Sequence, residues 1–220
     1  MKHFSSLTPI SYLDHEAIRR HCGRPFATVE EMGVAIATGW NSVVSSKDLV
    51  YIVGDFAWKN HRKWINDLNG KKILIIGNHD KMPQDCLDMF KPDWAYEETK
   101  LTDVVKTMQQ FREVHQQLDR VICGQRMTLN HFPMRSWSSS VHGTWCVCGH
   151  AHGRCKVSLP GEIGGGLILD VGWDVWKKPI PFDVLKAEMN KKLALMPQNF
   201  RDHVLYGKPL GRIDNDEHID

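Results

Sequence analysis

Four short motifs in this sequence of 220 residues could together bind a metal ion. In chain order they are Gly54-Asp55, Gly77-Asn78-His79-Asp80, Asn130-His131 and Gly149-His150-Ala151-His152-Gly153. They offer carboxylate, amide and imidazole groups, a mixture of oxygen and nitrogen ligands that divalent metals such as manganese, iron and zinc accept. The motifs therefore predict a metal site.

Each motif follows an apolar run that is typical of a buried strand. The clearest runs are 49–53 and 72–76, and the segment between them, 58–69, is predicted to be a helix. Two buried strands joined by a helix indicate a parallel βαβ unit, and ligands gather beyond the carboxyl ends of such strands. Asp55 and Asn78 stand at those ends, so we expect their side chains to converge.

The same spacing rules predict the elements that must position the other motifs. Further helices are predicted at 14–22, 28–39, 101–118 and 182–195. Thr28 with Glu31 three residues later predicts a capping box at the start of the second of these. Strands are predicted at 144–148 and 167–171, with a hairpin whose arms, 121–123 and 127–129, turn at Gly124-Gln125.

Composition limits the classes of function. Hydrophobic residues make up 42% of the chain and charged residues 25%, as in a globular protein of one domain. The formal net charge of +2 gives no support to a nucleic-acid partner, although it leaves one possible. The chain has no apolar run of about 18 residues and no apolar segment at its start. The sequence therefore predicts a cytoplasmic protein that does not associate with a membrane.

Three cysteines near the last motif raise the question of a separate zinc site. Cys146, Cys148 and Cys155 flank the two histidines of that motif. The single residue between Cys146 and Cys148 departs from the two-residue gap that is usual in zinc knuckles. Burial of these cysteines in a strand is therefore the favoured interpretation.

The four motifs together resemble the calcineurin-like metallophosphoesterase superfamily, whose pattern is Asp-x-His, Gly-Asp, Gly-Asn-His-(Asp/Glu), a lone His and Gly-His-x-His. Further matches to a small bacterial and phage branch are Arg24-Pro25-Phe26, His131-Phe132-Pro133-Met134-Arg135-Ser136-Trp137 and Val171-Gly172-x-Asp174-Val175-Trp176. The resemblance implies an α/β fold, a metallophosphoesterase-type β-sandwich flanked by helices in four α/β/β/α layers. The implied domain spans 1–185 with a helical insertion at about 101–118, and 186–220 would hold the end of the C-terminal helix and a polar tail.

The resemblance also implies a ligand set for two metal ions. Asp55 would bridge the two ions. Asn78, His131 and His150 would complete the coordination of one ion, and His152 would belong to the other. The ions themselves are one or two divalent cations drawn from manganese, iron, zinc, nickel and cobalt.

Catalytic and substrate-binding roles follow from the same resemblance. His79 and Asp80 are the catalytic candidates, with His79 beside the leaving group as general acid or charge stabiliser. Arg135 is the candidate for holding a phosphate oxygen, because guanidinium groups bind phosphate in bidentate geometry; a surface arginine without that role is the alternative.

The implied activity is hydrolysis of a phosphomonoester or phosphodiester by a metal-activated hydroxide. The expected partner is a phosphorylated small molecule or a nucleotide. The alternative is a metal-binding pseudoenzyme that recognises a phosphorylated ligand or partner without turnover.

One part of the family pattern is missing from this sequence. The first motif, Asp-x-His, is replaced by Ile10-Ser11-Tyr12 or, in the other alignment, by Leu7-Thr8-Pro9. Three outcomes are open: a site for one metal, a site completed by a substitute such as His3, Asp14 or His15, or a protein that binds without catalysis.

Overall fold

The structure is a computed structural model that describes residues 5–8, 13–80, 110–154 and 166–210. The strands are β1 (Ser5–Thr8), β2 (Leu49–Val53), β3 (Lys71–Ile75), β4 (Glu113–His115), β5 (Gln117–Ile122), β6 (Gln125–Asn130), β7 (Trp145–Cys148), β8 (Ile168–Asp170) and β9 (Ile180–Pro181). The helices are α1 (Glu16–His21), α2 (Val29–Asn41), α3 (His61–Asp67), α4 (Trp173–Trp176), α5 (Phe182–Ala194) and α6 (Gln198–Tyr206), with a 3-10 turn at Ser140–His142.

The strands form two mixed sheets. The first has the order β4-β3-β2-β1-β9, in which β1 to β4 are parallel and β9 is antiparallel to β1. The second has the order β5-β6-β7-β8, in which β6 to β8 are parallel and β5 pairs with β6 as an antiparallel hairpin. The predicted parallel pairing of β2 with β3 across a helix is confirmed.

The predicted fold class is wrong. The chain is a mixed α/β protein whose parallel sheets are arranged as a β-solenoid of about 4 turns, instead of a metallophosphoesterase-type β-sandwich in four α/β/β/α layers. The strands β1 to β4 lie side by side in chain order, as successive turns of a coil do. Motifs at strand ends determine which side chains meet and leave the winding of the sheets open, so the resemblance could not determine the architecture.

The strands that precede the motifs are buried on both faces. One cluster of buried side chains joins the two sheets, with Val53 and Ile75 from the first and Leu129 and Val147 from the second. The opposite face of the first sheet packs on the helices, in a second cluster that includes Met32, Ile36, Trp40, Val50, Ile52 and Leu74. Burial of each such side chain stabilises the fold by about 1.5–3 kcal/mol, which holds the strand ends in fixed positions.

The helical predictions agree with the structure in most of the described chain. At the start of α2, the Thr28 side chain accepts a hydrogen bond from the Glu31 N–H at 3.1 Å, so the predicted cap is present. The helix predicted at 58–69 is shorter, since α3 begins at His61. Helix α6 lies where only a polar tail was predicted. None of the helices in the described ranges has both the length and the apolar character that crossing a membrane requires.

The helix predicted at 101–118 is wrong in its last part. Residues 101–109 lie outside the described residues, and β4 and the start of β5 occupy 113–118. Leu118 and Ile122 of β5 are both buried. A spacing of four residues brings side chains to one face of a strand as well as of a helix, so the apolar spacing did not discriminate. The predicted hairpin is confirmed, but its turn lies at Cys123-Gly124, one residue before the predicted Gly124-Gln125.

Candidate metal centre

The four motifs lie at the carboxyl ends of two pairs of parallel strands. Asp55 follows β2 and Asn78 follows β3 in the first sheet, whereas His131 follows β6 and His150 follows β7 in the second. The predicted convergence at strand ends is thus present, and it joins both sheets.

Four side chains meet at this place through short contacts. The His131 Nε2 atom lies 3.2 Å from Asp55 Oδ2 and 2.9 Å from Asn78 Oδ1. The His150 Nδ1 atom lies 3.1 Å from the same amide oxygen. Asp55 and His131 are almost completely buried, and Asn78 and His150 are exposed. The four-ligand set, as we call Asp55, Asn78, His131 and His150, therefore has one buried side and one side open to solvent.

The hydrogen bond on the far side of His131 makes this arrangement informative. His131 Nδ1 lies 3.0 Å from the Val53 carbonyl oxygen, to which it must donate its proton. In the neutral ring Nε2 then carries a lone pair, and that lone pair faces two oxygen atoms that are also acceptors. A second ring proton or a cation between these atoms removes the conflict.

The pKa shifts of the two imidazoles have identifiable causes. Burial by itself would lower the pKa of His131, but the Asp55 carboxylate and the Val53 carbonyl outweigh burial, so the pKa is raised. Partial burial and the neighbouring His131 lower the pKa of His150. His150 is therefore neutral at pH 7 and has a lone pair to offer to a metal.

Two glycines make room for the four-ligand set. A Cβ atom on Gly54, whose φ is +88°, would lie 2.1 Å from His131 Nδ1. A Cβ atom on Gly77 would lie 2.3 Å from Asp55 Oδ1. Real Cβ atoms do not approach other atoms this closely, so only glycine at these positions lets the loops come together.

Asp80 holds the loops of the first two motifs together. Its carboxylate accepts hydrogen bonds from the N–H groups of Asp55, Phe56 and Gly77 at 2.8–2.9 Å. Burial raises the pKa of Asp80 to about 6, despite these three donors. Both carboxylate oxygens are occupied by backbone groups, so the geometry favours a positioning role for Asp80 over the predicted catalytic one.

His79 lies beside the four-ligand set in an aromatic environment. Its backbone N–H donates to Asp55 Oδ1 at 3.0 Å. Its half-buried ring lies 5.7 Å from the Trp58 ring and 6.3 Å from the His15 ring, measured between centroids. The structure thus places His79 at the edge of the candidate centre.

Phe132 and Arg135 lie in the loop that follows β6. Phe132 is 47% exposed, and its ring centroid lies 4.6 Å from that of His150 and 5.1 Å from that of His131. Arg135 is exposed, and no hydrogen bond joins it to the four-ligand set in the described part of the chain. The proposed contact of Arg135 with phosphate stays a prediction.

His152 belongs to a different cluster. Its Nδ1 atom donates to Asp174 Oδ2 at 2.6 Å and lies 3.4 Å from the Cys22 sulfur. Asp174 also accepts two hydrogen bonds from the buried Arg24 guanidinium, at 2.8 and 2.7 Å. Burial would raise the pKa of Asp174, but His152 and Arg24 outweigh burial and lower it.

The Cys22, His152 and Asp174 side chains could be taken for a nucleophilic triad or a second metal site. Both neighbours of His152 face the same ring nitrogen, whereas a triad uses one nitrogen for each partner. Burial and the Asp174 carboxylate raise the pKa of Cys22, so it is a thiol at neutral pH. The Arg24 guanidinium already neutralises the carboxylate. The geometry therefore favours a structural cluster.

The substitutes considered for the missing motif are only partly described. His3 and residues 9–12 lie outside the described residues. Asp14 Oδ1 accepts hydrogen bonds from the N–H groups of Trp58 and Lys59 at 2.8 and 3.0 Å, so it orders that loop. His15 Nδ1 accepts from the Ile18 N–H at 3.3 Å and caps α1. These contacts give Asp14 and His15 structural roles.

The cysteines near the last motif pack in the interior, as the favoured interpretation predicted. Cys146 and Cys148 are completely buried in β7, in a cluster with Trp137 and Ile168. Cys155 lies outside the described residues.

Sequence reasoning gave no role to several residues that surround the centre. Trp58 is separated from the motifs by only two residues, Phe56 and Ala57, yet an isolated tryptophan carries no spacing signal. Phe132 directly follows His131, and that adjacency was the available signal. Arg24 and Asp174 are 150 positions apart in the chain, so the sequence carries no signal that their side chains pair. Each matches the family branch only as part of a longer stretch.

Comparisons with known proteins give relatives without stated activities. No family model matches the chain. An uncharacterized protein of Methanocaldococcus jannaschii is 41% identical over 76 residues, and the gene 66 protein of Mycobacterium phage L5 is 41% identical over 58 residues. These matches span 32% and 24% of this chain, and only 43% and 28% of the length of those relatives.

Two further proteins match over more of the chain. The gene 66 protein of Mycobacterium phage D29 is 24% identical over 177 residues, which are 70% of this chain and 81% of that protein. The crystal structure of a protein of unknown function from Aquifex aeolicus superposes with a TM-score of 0.58 at 18% identity, over 87% of this chain and 100% of that one. At this identity the likeness concerns the fold alone.

Proposed function

We propose that this protein binds one divalent metal ion through Asp55, Asn78, His131 and His150 and hydrolyses a phosphoester there. The observation that supports the proposal most is the meeting of His131 Nε2 with Asp55 Oδ2 and Asn78 Oδ1 at 3.2 and 2.9 Å. A divalent cation resolves the conflict of three acceptor atoms, and it uses the lone pair of His150 as well. One carboxylate, one amide and two imidazoles fit manganese, iron, zinc, cobalt or nickel.

The exposure of the ligands supports a catalytic centre over a purely structural one. Structural metal sites are closed, whereas catalytic sites keep a position open to water and substrate. Asn78 and His150 are exposed, so the four-ligand set is open on their side. A bound divalent cation would supply Lewis acidity toward a phosphoryl oxygen and would lower the pKa of water toward neutrality.

The neighbouring residues have separable roles in this proposal. Asp55 is held by the His79 N–H at 3.0 Å, which leaves Oδ2 directed toward His131. Asp80 fixes the two loops through three backbone hydrogen bonds. In this proposal the His79 ring, which lies next to Trp58, gives a proton to the departing oxygen. Such general acid catalysis contributes about 10²–10⁴-fold to rate.

The expected substrate is a phosphorylated small molecule or a nucleotide. On sequence grounds alone, we propose that the protein is located in the cytoplasm. The alternative, recognition of a phosphorylated ligand without turnover, uses the same four-ligand set. Turnover is therefore the measurement that separates the two.

The test combines metal content with hydrolysis. The purified protein is stripped with chelator, reloaded with manganese or zinc, and assayed with p-nitrophenyl phosphate and bis-p-nitrophenyl phosphate. We expect about one metal per chain and turnover that falls more than about 100-fold in Asp55→Asn, because the variant loses the only anionic ligand. Asp183→Asn, which changes an exposed carboxylate of α5, is the matched control and should behave as the wild type.

Two results would contradict the proposal in different ways. Tight binding of one metal without turnover of either ester, with manganese or with zinc, would contradict hydrolysis and favour ligand recognition. Failure of the wild type to bind either metal would contradict the proposed metal centre itself.

A further inference from the structure

An aromatic ring stands exposed against the two imidazoles of the four-ligand set. Phe132 is 47% exposed, although large apolar side chains are normally buried. Its ring is tilted by 58° to that of His150 at a centroid distance of 4.6 Å, and it meets His131 edge-on at 5.1 Å. The Phe132 ring thus contacts both candidate imidazole ligands, and nearly half of the residue remains exposed to solvent.

Local contacts hold the backbone that carries this ring. The Phe132 N–H donates to the Asn130 side-chain oxygen at 2.9 Å, which closes a turn directly after β6. The preceding residue, His131, is held by the Val53 carbonyl at 3.0 Å and is 1% exposed. The ring also contacts both imidazoles, and a side chain restrained in this way loses less conformational entropy when a ligand packs on it.

We propose that Phe132 is a stacking platform for the base of a nucleoside phosphoester, so that the substrate class of this centre is nucleotides. The proposal rests on the proposed function. It identifies the part of the substrate that does not react, the base. A phosphate at the open side of the ligands would lie next to His150, and Phe132 contacts that same imidazole, so a base attached to the phosphate comes within reach of the exposed ring.

The chemistry of the ring selects a flat group. Stacking of a base on an aromatic side chain changes binding by about 5- to 150-fold per base, and it tolerates any base because each has a π-face. A short alkyl ester has too little surface to gain from the same ring. If the ring served only to shield the imidazoles from water, burial of the ring would stabilise the protein further. Phe132 is instead 47% exposed.

The experiment compares two ligands that share the phosphate and differ in the base. Thymidine 5′-monophosphate and methyl phosphate are titrated into the zinc-loaded protein by isothermal calorimetry. We expect thymidine 5′-monophosphate to bind at least about tenfold more tightly. In Phe132→Ala the ratio of the two dissociation constants should fall below about threefold, and in Phe132→Tyr it should be retained. Bound thymine protons should also show an upfield ring-current shift that Phe132→Ala abolishes.

The control is Tyr206→Ala, which removes another exposed ring, 71% exposed and at the end of α6. It should leave the ratio unchanged. Zinc content and thermal unfolding of each variant establish that it is folded and loaded.

The outcomes separate this inference from the proposed function. If methyl phosphate binds and thymidine 5′-monophosphate binds no better, or if Phe132→Ala keeps the preference, the stacking platform is wrong and the metal centre stands. If neither ligand binds the zinc-loaded protein, both proposals are overturned.

Discussion

His131 Nε2 lies 3.2 Å from Asp55 Oδ2, and both side chains are nearly completely buried, at 1% and 2% exposure. The two residues come from different sheets, 76 positions apart in the chain. Such a pair is expensive to bury unless a charge or a hydrogen bond satisfies each atom. In the absence of a metal ion, a second proton on His131 supplies the charge. Burial opposes that proton, but the Asp55 carboxylate and the Val53 carbonyl favour it more strongly, so the pKa of His131 is raised.

Metal binding should therefore stabilise the protein more at pH 8 than at pH 6. The raised pKa of His131 gives the metal-free protein stability that is complete below the unfolded value of about 6.5 and is lost as the pH rises through the folded value. A metal ion competes with that proton, so its apparent affinity grows as the ring deprotonates. The measurement is the shift in melting temperature on adding zinc at each pH. His142→Gln, an exposed histidine variant, should show the same trend as the wild type, and an equal shift at both pH values would contradict the prediction.

Gly77→Ala should abolish metal binding without a substitution at any ligand. The added Cβ would lie 2.3 Å from Asp55 Oδ1 and 2.4 Å from the Asp55 nitrogen, so the loop that presents Asp55 must move. The matched control is Gly39→Ala within α2, where the Cβ would lie 3.7 Å from its nearest neighbour, an ordinary contact. That control should raise the free energy of unfolding by about 0.5–1 kcal/mol, because alanine favours the helix. Elemental analysis and urea unfolding give both results; full metal content in Gly77→Ala would be evidence against the glycine argument.

The sequence was sufficient to bring the four ligands together, because strand ends and motif order carry that information. Asp55 and Asn78 follow runs whose apolar character left little choice of structure, and β2 and β3 are found within one residue of their predicted bounds. The winding of the sheets was not predictable in this way, since it depends on contacts between distant strands. Leu118 and Ile122 show the same limit locally, because their spacing fits a helix and a strand equally.

The separation of His150 from His152 could not have been read from the sequence. Both have positive φ values, 61° and 49°, so the turn is not extended; in an extended segment, residues two apart would point to the same side. Asp174, to which His152 is hydrogen-bonded, follows β8 and is not adjacent to His152 in the chain. Only the structure relates those positions.

Arg24→Met should destabilise the fold by about 3–5 kcal/mol, because it leaves the buried Asp174 carboxylate without its main counter-charge. The pair is bidentate, and the two side chains are 0% and 8% exposed. Arg20→Met is the matched control, since Arg20 is 74% exposed and its partner Glu16 is 43% exposed; water screens such a pair, so the loss should be much smaller. Urea unfolding measures both. Equal losses in the two variants would show that burial of the Arg24 pair is not the cause.

Lys72 should make the protein more stable as the pH rises from about 8 to about 10.5. Burial lowers the pKa of Lys72 to about 8, although its ammonium group donates to the carbonyls of Leu68 and Gly70 at 2.6 and 3.0 Å. Between these pH values the unfolded chain binds more protons than the folded one, so the free energy of unfolding increases, by on the order of 1–3 kcal/mol. The difference between wild type and Lys72→Met, measured by urea unfolding at pH 7.5 and 9.5, isolates this contribution. A difference that does not change with pH would contradict the shifted pKa.

His150→Ala and His152→Ala should differ in metal content although the two residues are two positions apart. His150 Nδ1 lies 3.1 Å from Asn78 Oδ1 and is placed to bind the ion, whereas His152 Nδ1 is committed to Asp174 at 2.6 Å. We therefore expect His150→Ala to lose metal affinity by more than about 100-fold and His152→Ala to keep about one ion per chain. Cys22→Ser, which changes the other neighbour of His152, should also keep it. If the wild type instead holds two ions and His152→Ala holds one, His152 is a ligand and the centre is binuclear.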